Sequence, residues 1–175
     1  MSIKQIANSL HEYANDIKVN LGNIFLPSIS AGLSQKQIDG IALSCVYTTR
    51  NKKLIEAILE DVKTSLTEDE IDAAKASATI MAMNNVYYRA IHFIGDGDIL
   101  KMQSGMLMQV MQKHKISKLD FELYSLAVSA INGCEYCVAS HAKRISNAGV
   151  SKEGIQSTLR IASVINATAQ ALTIT

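Results

Sequence analysis

The sequence predicts an all-α fold, and three observations carry that expectation. Only one proline, Pro27, stands in 175 residues, so little interrupts helical hydrogen bonding. Ala, Leu, Ile, Met, Gln and Lys abound while Trp is absent and Phe occurs three times, a composition weighted to residues of low helical cost. Apolar residues recur at spacings of three and four, and no segment alternates long enough to be a strand.

The elements follow in order. Ile3, Ile6, Ala7, Leu10, Tyr13, Ala14 and Ile17 form one apolar stripe, which predicts a helix over 2–19. Leu21 to Ser34 holds two Gly, Pro27 and three Ser and reads as an irregular connection. Ser34-Gln35-Lys36-Gln37 fits a capping box and opens a helix over 35–49, followed by one over 51–64. Thr67-Glu68-Asp69-Glu70 is a stronger box, with acidic residues on the positive helix end, and opens 68–92. Gly95-Asp96-Gly97-Asp98 is a turn before an expected helix over 98–112. Ser117-Lys118-Leu119-Asp120 starts 118–131, Asn132-Gly133 breaks the chain before 134–148, and Gly149-Val150-Ser151 is a stop and a cap before 151–171.

The length suits a single domain, here 1–175, with enough chain to bury a core without disulfide staples. Hydrophobic residues make up 48% and charged residues 19%, a globular balance. A net charge of +1 with no basic block argues against nucleic-acid binding, which needs a clustered positive footprint. No run of 18 apolar residues and no apolar signal core after Met1 point to a cytoplasmic protein without a membrane span. Three cysteines, Cys45, Cys134 and Cys137, are too few for a disulfide framework; a close pair points to redox or metal chemistry.

A shift of 52 residues matches Glu70, Ser77, Ala78, Val86 and Ala90 to Glu122, Ser129, Ala130, Val138 and Ala142, against roughly one or two matches expected from composition. It suggests an internal repeat of helical segments in which Ala82, Asn85 and Arg89 face Cys134, Cys137 and His141.

Those last residues are the informative ones. Cys134 and Cys137, three apart, share a helix face within reach of a short disulfide ring, and His141 stands four residues beyond. The break at Asn132-Gly133 puts Cys134 in the first helical turn, where free N–H groups favour thiolate. Glu122 lies 12 residues before Cys134, about 18 Å along a straight helix; a bend at the break brings it back to relay a thiol proton with His141. Other readings remain: two small core cysteines, a zinc site of Cys134, Cys137 and His141 in a zinc-stabilised binding module, and a surface carboxylate at Glu122. Cys45 reads as a buried small residue, His92 and His114 as ordinary helix-face residues, and Met102, Met106, Met108 and Met111 as core or subunit contacts.

Glu122, eleven residues, Cys134-x-x-Cys137, three residues and His141 resemble the signature of the alkyl hydroperoxide reductase D (AhpD) family. Phe121-Glu122-Leu123, Ser129-Ala130-Ile131-Asn132-Gly133-Cys134, Met83-Asn84-Asn85-Val86-Tyr87-Tyr88-Arg89 and Ala169-Gln170-Ala171-Leu172 carry the likeness along nearly the whole chain. The wider carboxymuconolactone decarboxylase-like superfamily shares the helical fold and often lacks the dithiol, so a non-redox, decarboxylase-like relative is an alternative.

The resemblance implies an AhpD-like fold and a lipoyl-dependent peroxidase acting on organic hydroperoxides. Cys137 is then the peroxidatic thiol that becomes a sulfenic acid. Cys134 gives a proton and resolves it as the Cys134–Cys137 disulfide, and Glu122 and His141 form the relay. This reverses the helix-dipole argument, which favours the first cysteine. The resemblance also implies a homotrimer with no bound cofactor and no metal. Dihydrolipoamide on a lipoylated acyltransferase, kept reduced by dihydrolipoamide dehydrogenase, is the electron donor, and alkyl hydroperoxide reductase C is the peroxiredoxin partner. Some members carry His where this chain has Tyr136, a poor base near neutral pH.

Overall fold

A computed structural model gives the structure of residues 1–174; Thr175, the end of the expected domain, lies outside the described residues. Among the described residues there are ten α-helices, one short 3₁₀ turn and no strand. They are α1 (Ile3–Ser9), the 3₁₀ turn (Glu12–Ala14), α2 (Asn15–Asn23), α3 (Gln35–Thr49), α4 (Lys52–Val62), α5 (Glu68–Ile94), α6 (Gly97–Lys101), α7 (Val110–Lys113), α8 (Lys118–Ile131), α9 (Glu135–Asn147) and α10 (Lys152–Thr173). None of these helices is long and apolar enough to cross a membrane.

The caps read from sequence are formed. Ser34 and Thr67 make reciprocal capping boxes with Gln37 and Glu70, and Ser117 and Ser151 accept from the N–H groups of Asp120 and Gly154. Each satisfies a donor that the first helical turn leaves free. Helices α3 and α8 occupy the spans expected of them.

Two expected helices are interrupted. The stripe over 2–19 breaks at Leu10, whose backbone is extended, and helix resumes through Asn23, into the expected connection. Tertiary anchors explain the break: the Ile3 N–H donates to Asp61 at 2.7 Å, and the Tyr13 hydroxyl donates to the Ala171 carbonyl at 3.4 Å. The span 98–112 is helical only at its two ends, as α6 and α7. Between them Gly105 takes a left-handed backbone, φ 67°, and the chain passes over the face of the molecule that holds Cys137.

The core forms where α3 and α8 cross, with α5 and α10 packed on them. Helix α8 is buried almost all round: Phe121 and every residue from Leu123 to Ser129 are buried. The crossing is close because Gly40 has no side chain. A Cβ there would lie 1.9 Å from the Tyr124 hydroxyl oxygen.

The repeat is present in a different register. At a shift of 52 the unbroken α5 would face two helices, α8 and α9. The caps instead correspond 83 residues apart, Ser34 to Ser117 and Asn51 to Cys134, and left-handed Arg50 (φ 61°) corresponds to Gly133 (φ 68°). The packing follows that pairing: α3 lies against α10 as α8 lies against α5. In this register Asp39, Leu54 and Ile58 stand where the second half has Glu122, Cys137 and His141. The 52-residue identities therefore mark no structural pairing.

Candidate active site

The break between α8 and α9 builds the site. Gly133 adopts φ 68°, which an L-residue with a Cβ adopts only at a cost. The chain reverses there, and Cys134 becomes the N-cap of α9 rather than a residue of its first turn. Its Sγ accepts the Cys137 N–H at 3.3 Å. Cys134 and Cys137 are joined as a disulfide, with Cα atoms 5.3 Å apart. Cys134 is fully buried, whereas Cys137 lines a cavity of about 180 Å³ together with Tyr88, Met108, Met111, His141 and Arg144.

The bend returns α9 to α8, so Glu122 meets the residues one and two turns past Cys137. Its Oε2 lies 2.6 Å from His141 Nδ1, and its Oε1 accepts from Arg144 Nη1 at 3.1 Å. A carboxylate only accepts, so Nδ1 carries the proton and Nε2 is the nitrogen left for exchange. Burial by itself raises the Glu122 carboxyl, but the hydrogen bonds and charges of His141 and Arg144 outweigh it and hold the group below the usual carboxylate range. Glu122 is therefore a carboxylate at neutral pH, and it fixes the imidazole.

Sequence reasoning missed the α5 contribution. Asn85 donates to Ser129 Oγ at 2.9 Å and accepts from Asn132 Nδ2 at 2.9 Å, and Arg89 donates to the Asn132 carbonyl. These bonds pin the turn that places the cysteines. Such partners lie more than 40 positions away in the chain, and their signal was only that polar residues interrupt the apolar face of a long helix. His92 is an exposed helix-face residue of α5, as expected, and its ring stacks on Tyr136, centroids 4.1 Å apart. His114 caps the end of α7 and stacks on Phe121 at 4.3 Å. The methionines divide, with Met108 and Met111 lining the Cys137 cavity and Met102 exposed. Cys45 is buried as expected, and burial pushes its thiol well above the ordinary range.

Known proteins resemble this chain along almost its full length. Residues 97–174 match the carboxymuconolactone decarboxylase family. The protein named alkyl hydroperoxide reductase AhpD in Coxiella burnetii is 46% identical over 93% of this chain and 92% of its own length. Those of the same name in Corynebacterium aurimucosum and Rhodospirillum centenum are 41% and 40% identical, each over 98% of this chain and over 95% and 91% of their own lengths.

Proposed function

The chain belongs to the alkyl hydroperoxide reductase AhpD family, within the carboxymuconolactone decarboxylase-like superfamily, and from that premise we propose a dithiol peroxidase mechanism for it. It is an oxidoreductase acting on peroxide. The observation that carries the mechanism is the pairing of a cavity-lining Cys137, disulfide-linked to a buried N-cap Cys134, with an imidazole held by a carboxylate.

In the reduced enzyme the Cys137 thiolate attacks the terminal oxygen of an organic hydroperoxide. An S–O bond forms and the O–O bond breaks. The alkoxide takes the proton released through Cys134 and His141 and leaves as the alcohol. Cys134 then attacks the sulfur of the Cys137 sulfenic acid. The disulfide forms, and hydroxide leaves and is protonated to water. The two thiol protons thus end in the alcohol and the water. Glu122 keeps His141 in the tautomer that exchanges protons at Nε2.

Regeneration needs two electrons and two protons, which dihydrolipoamide supplies by thiol–disulfide exchange. Attack at Cys137 expels Cys134 as a thiolate. The Cys137 N–H that already meets its sulfur, and the positive end of α9, support that leaving group. A lipoylated acyltransferase and dihydrolipoamide dehydrogenase are the proposed electron path. The peroxiredoxin alkyl hydroperoxide reductase C is a second acceptor, reduced at its disulfide by the same pair. The proposed protein is a cytoplasmic homotrimer. Exposed Val86, Phe93 and Ile94 on α5 and Leu107 beyond it offer apolar surface for such contacts.

The test is NADH oxidation coupled through dihydrolipoamide dehydrogenase and lipoamide to an organic hydroperoxide. Turnover that requires this protein supports the reading. A dithiol that neither reacts with the peroxide nor accepts lipoamide electrons ends it.

A further inference from the structure

Asn84 stands one turn before Tyr88 on α5 and lines the Cys137 cavity. The residue is 4% exposed. Its Nδ2 donates to Met111 Sδ at 3.6 Å, while its Oδ1 is buried and accepts no hydrogen bond. Thioethers are weak acceptors, so one end of this amide is poorly satisfied and the other not at all. Its neighbour Asn85 is different, with both ends spent on Ser129 and Asn132. A buried carboxamide oxygen without a donor is costly, and an apolar residue would avoid the cost.

None of the donors on the cavity wall meets that oxygen, the hydroxyls of Tyr88, Tyr136 and Ser140 included. His141 Nδ1 and Arg144 Nη1 both serve Glu122. The orphan oxygen therefore suits a small neutral donor entering from outside. An alkyl hydroperoxide is such a molecule. It carries one O–H, on the oxygen that a thiolate attacks, and its alkyl part matches the side chains of Met81, Met108 and Met111 on the cavity wall.

We propose that Asn84 Oδ1 accepts the O–H of the bound hydroperoxide and orients its terminal oxygen toward Cys137. The assignment rests on the peroxidase reading. As sulfur attacks, the S–O bond forms, the O–O bond breaks and the alkoxide departs. The hydrogen stays on the transferred oxygen, now the sulfenic acid of Cys137. The same acceptor serves before and after transfer, so its contribution holds through the transition state.

The experiment follows thiol loss in the reduced protein on mixing with tert-butyl hydroperoxide, and separately with methyl methanethiosulfonate, a thiol reagent with no O–H. Asn84→Leu is expected to slow the hydroperoxide reaction by about 10- to 100-fold. The thiosulfonate rate should stay within about two-fold. Asn84→Asp, which keeps an acceptor oxygen, should recover most of the loss. Should leucine unfold the protein, Asn84→Ala removes the acceptor with less crowding and is read the same way. Equal slowing with both reagents overturns the assignment, because Asn84 then supports the thiol and not the peroxide. So does an unchanged hydroperoxide rate in the variant. A wild-type dithiol that reacts with thiosulfonate but with no hydroperoxide overturns the peroxidase reading, and this assignment with it.

Discussion

Glu122 Oε2 lies 2.6 Å from His141 Nδ1 across the break between α8 and α9, although 19 positions separate the two in the chain. Along one straight helix they would stand about 28 Å apart. The turn at Asn132-Gly133 makes this contact, and with Arg144 it fixes where the imidazole stands relative to Cys137.

Trapping tests the proposed division of labour between the two cysteines. Cys134→Ser is expected to stop turnover while leaving a sulfenic acid at Cys137 that dimedone captures. Cys137→Ser is expected to stop turnover with no capture. Mass spectrometry that finds the adduct on Cys134 would reverse the roles.

Glu122→Gln keeps the shape and removes the charge that orients His141. The peroxide reaction near neutral pH should fall by about 10²–10⁴-fold, with far-UV circular dichroism unchanged. A rate equal to that of the wild type would make Glu122 a bystander.

The same carboxylate sets an acid limit on stability. Its pKa is depressed in the folded protein, so its contribution is complete above the ordinary glutamate value of about 4.3 and is lost as pH falls through the lower folded value. Acid unfolding of Glu122→Gln should show a shallower fall in stability below about pH 4.3 than the wild type. Parallel curves for the two proteins would refute this linkage.

Asn85 ties α5 to both Ser129 and Asn132. Asn85→Ala leaves the buried Ser129 and the half-buried Asn132 short of a partner, at a cost of about 1–3 kcal/mol. Urea unfolding should register that loss, and oxidation of the dithiol should slow as the turn loosens. An unchanged midpoint and rate would show that the network holds nothing in place.

Gly40→Ala sets a Cβ against the Tyr124 hydroxyl at 1.9 Å, where no real contact is tolerated. The crossing of α3 and α8 must open, at a cost of about 1–3 kcal/mol. Calorimetry should show a lower Tm, restored in part by Tyr124→Leu. A neutral Gly40→Ala would mean that the helices separate freely.

Sequence alone determined the helices and where most of them begin, because these are local matters. The hydroxyls of Ser34, Thr67, Ser117 and Ser151 reach N–H groups three residues on, and apolar spacing marks the faces to be buried. The Cys134-x-x-Cys137 pair was legible for the same reason: two residues three apart meet whatever the rest of the fold does. Tertiary structure decided the remainder. It broke the first expected helix, opened the 98–112 span over the Cys137 cavity, and set the repeat 83 residues apart, between α3 and α8. It also joined Glu122 to His141 and assigned Asn85 and Arg89 to the turn at Asn132. Those outcomes depend on which helix faces pack together, and packing rewards shape and buried hydrogen bonds between residues far apart in sequence. Local propensity carries no record of such partners, so an asparagine on α5 reads alike whether it is spent, as Asn85 is, or left with an open oxygen, as Asn84 is.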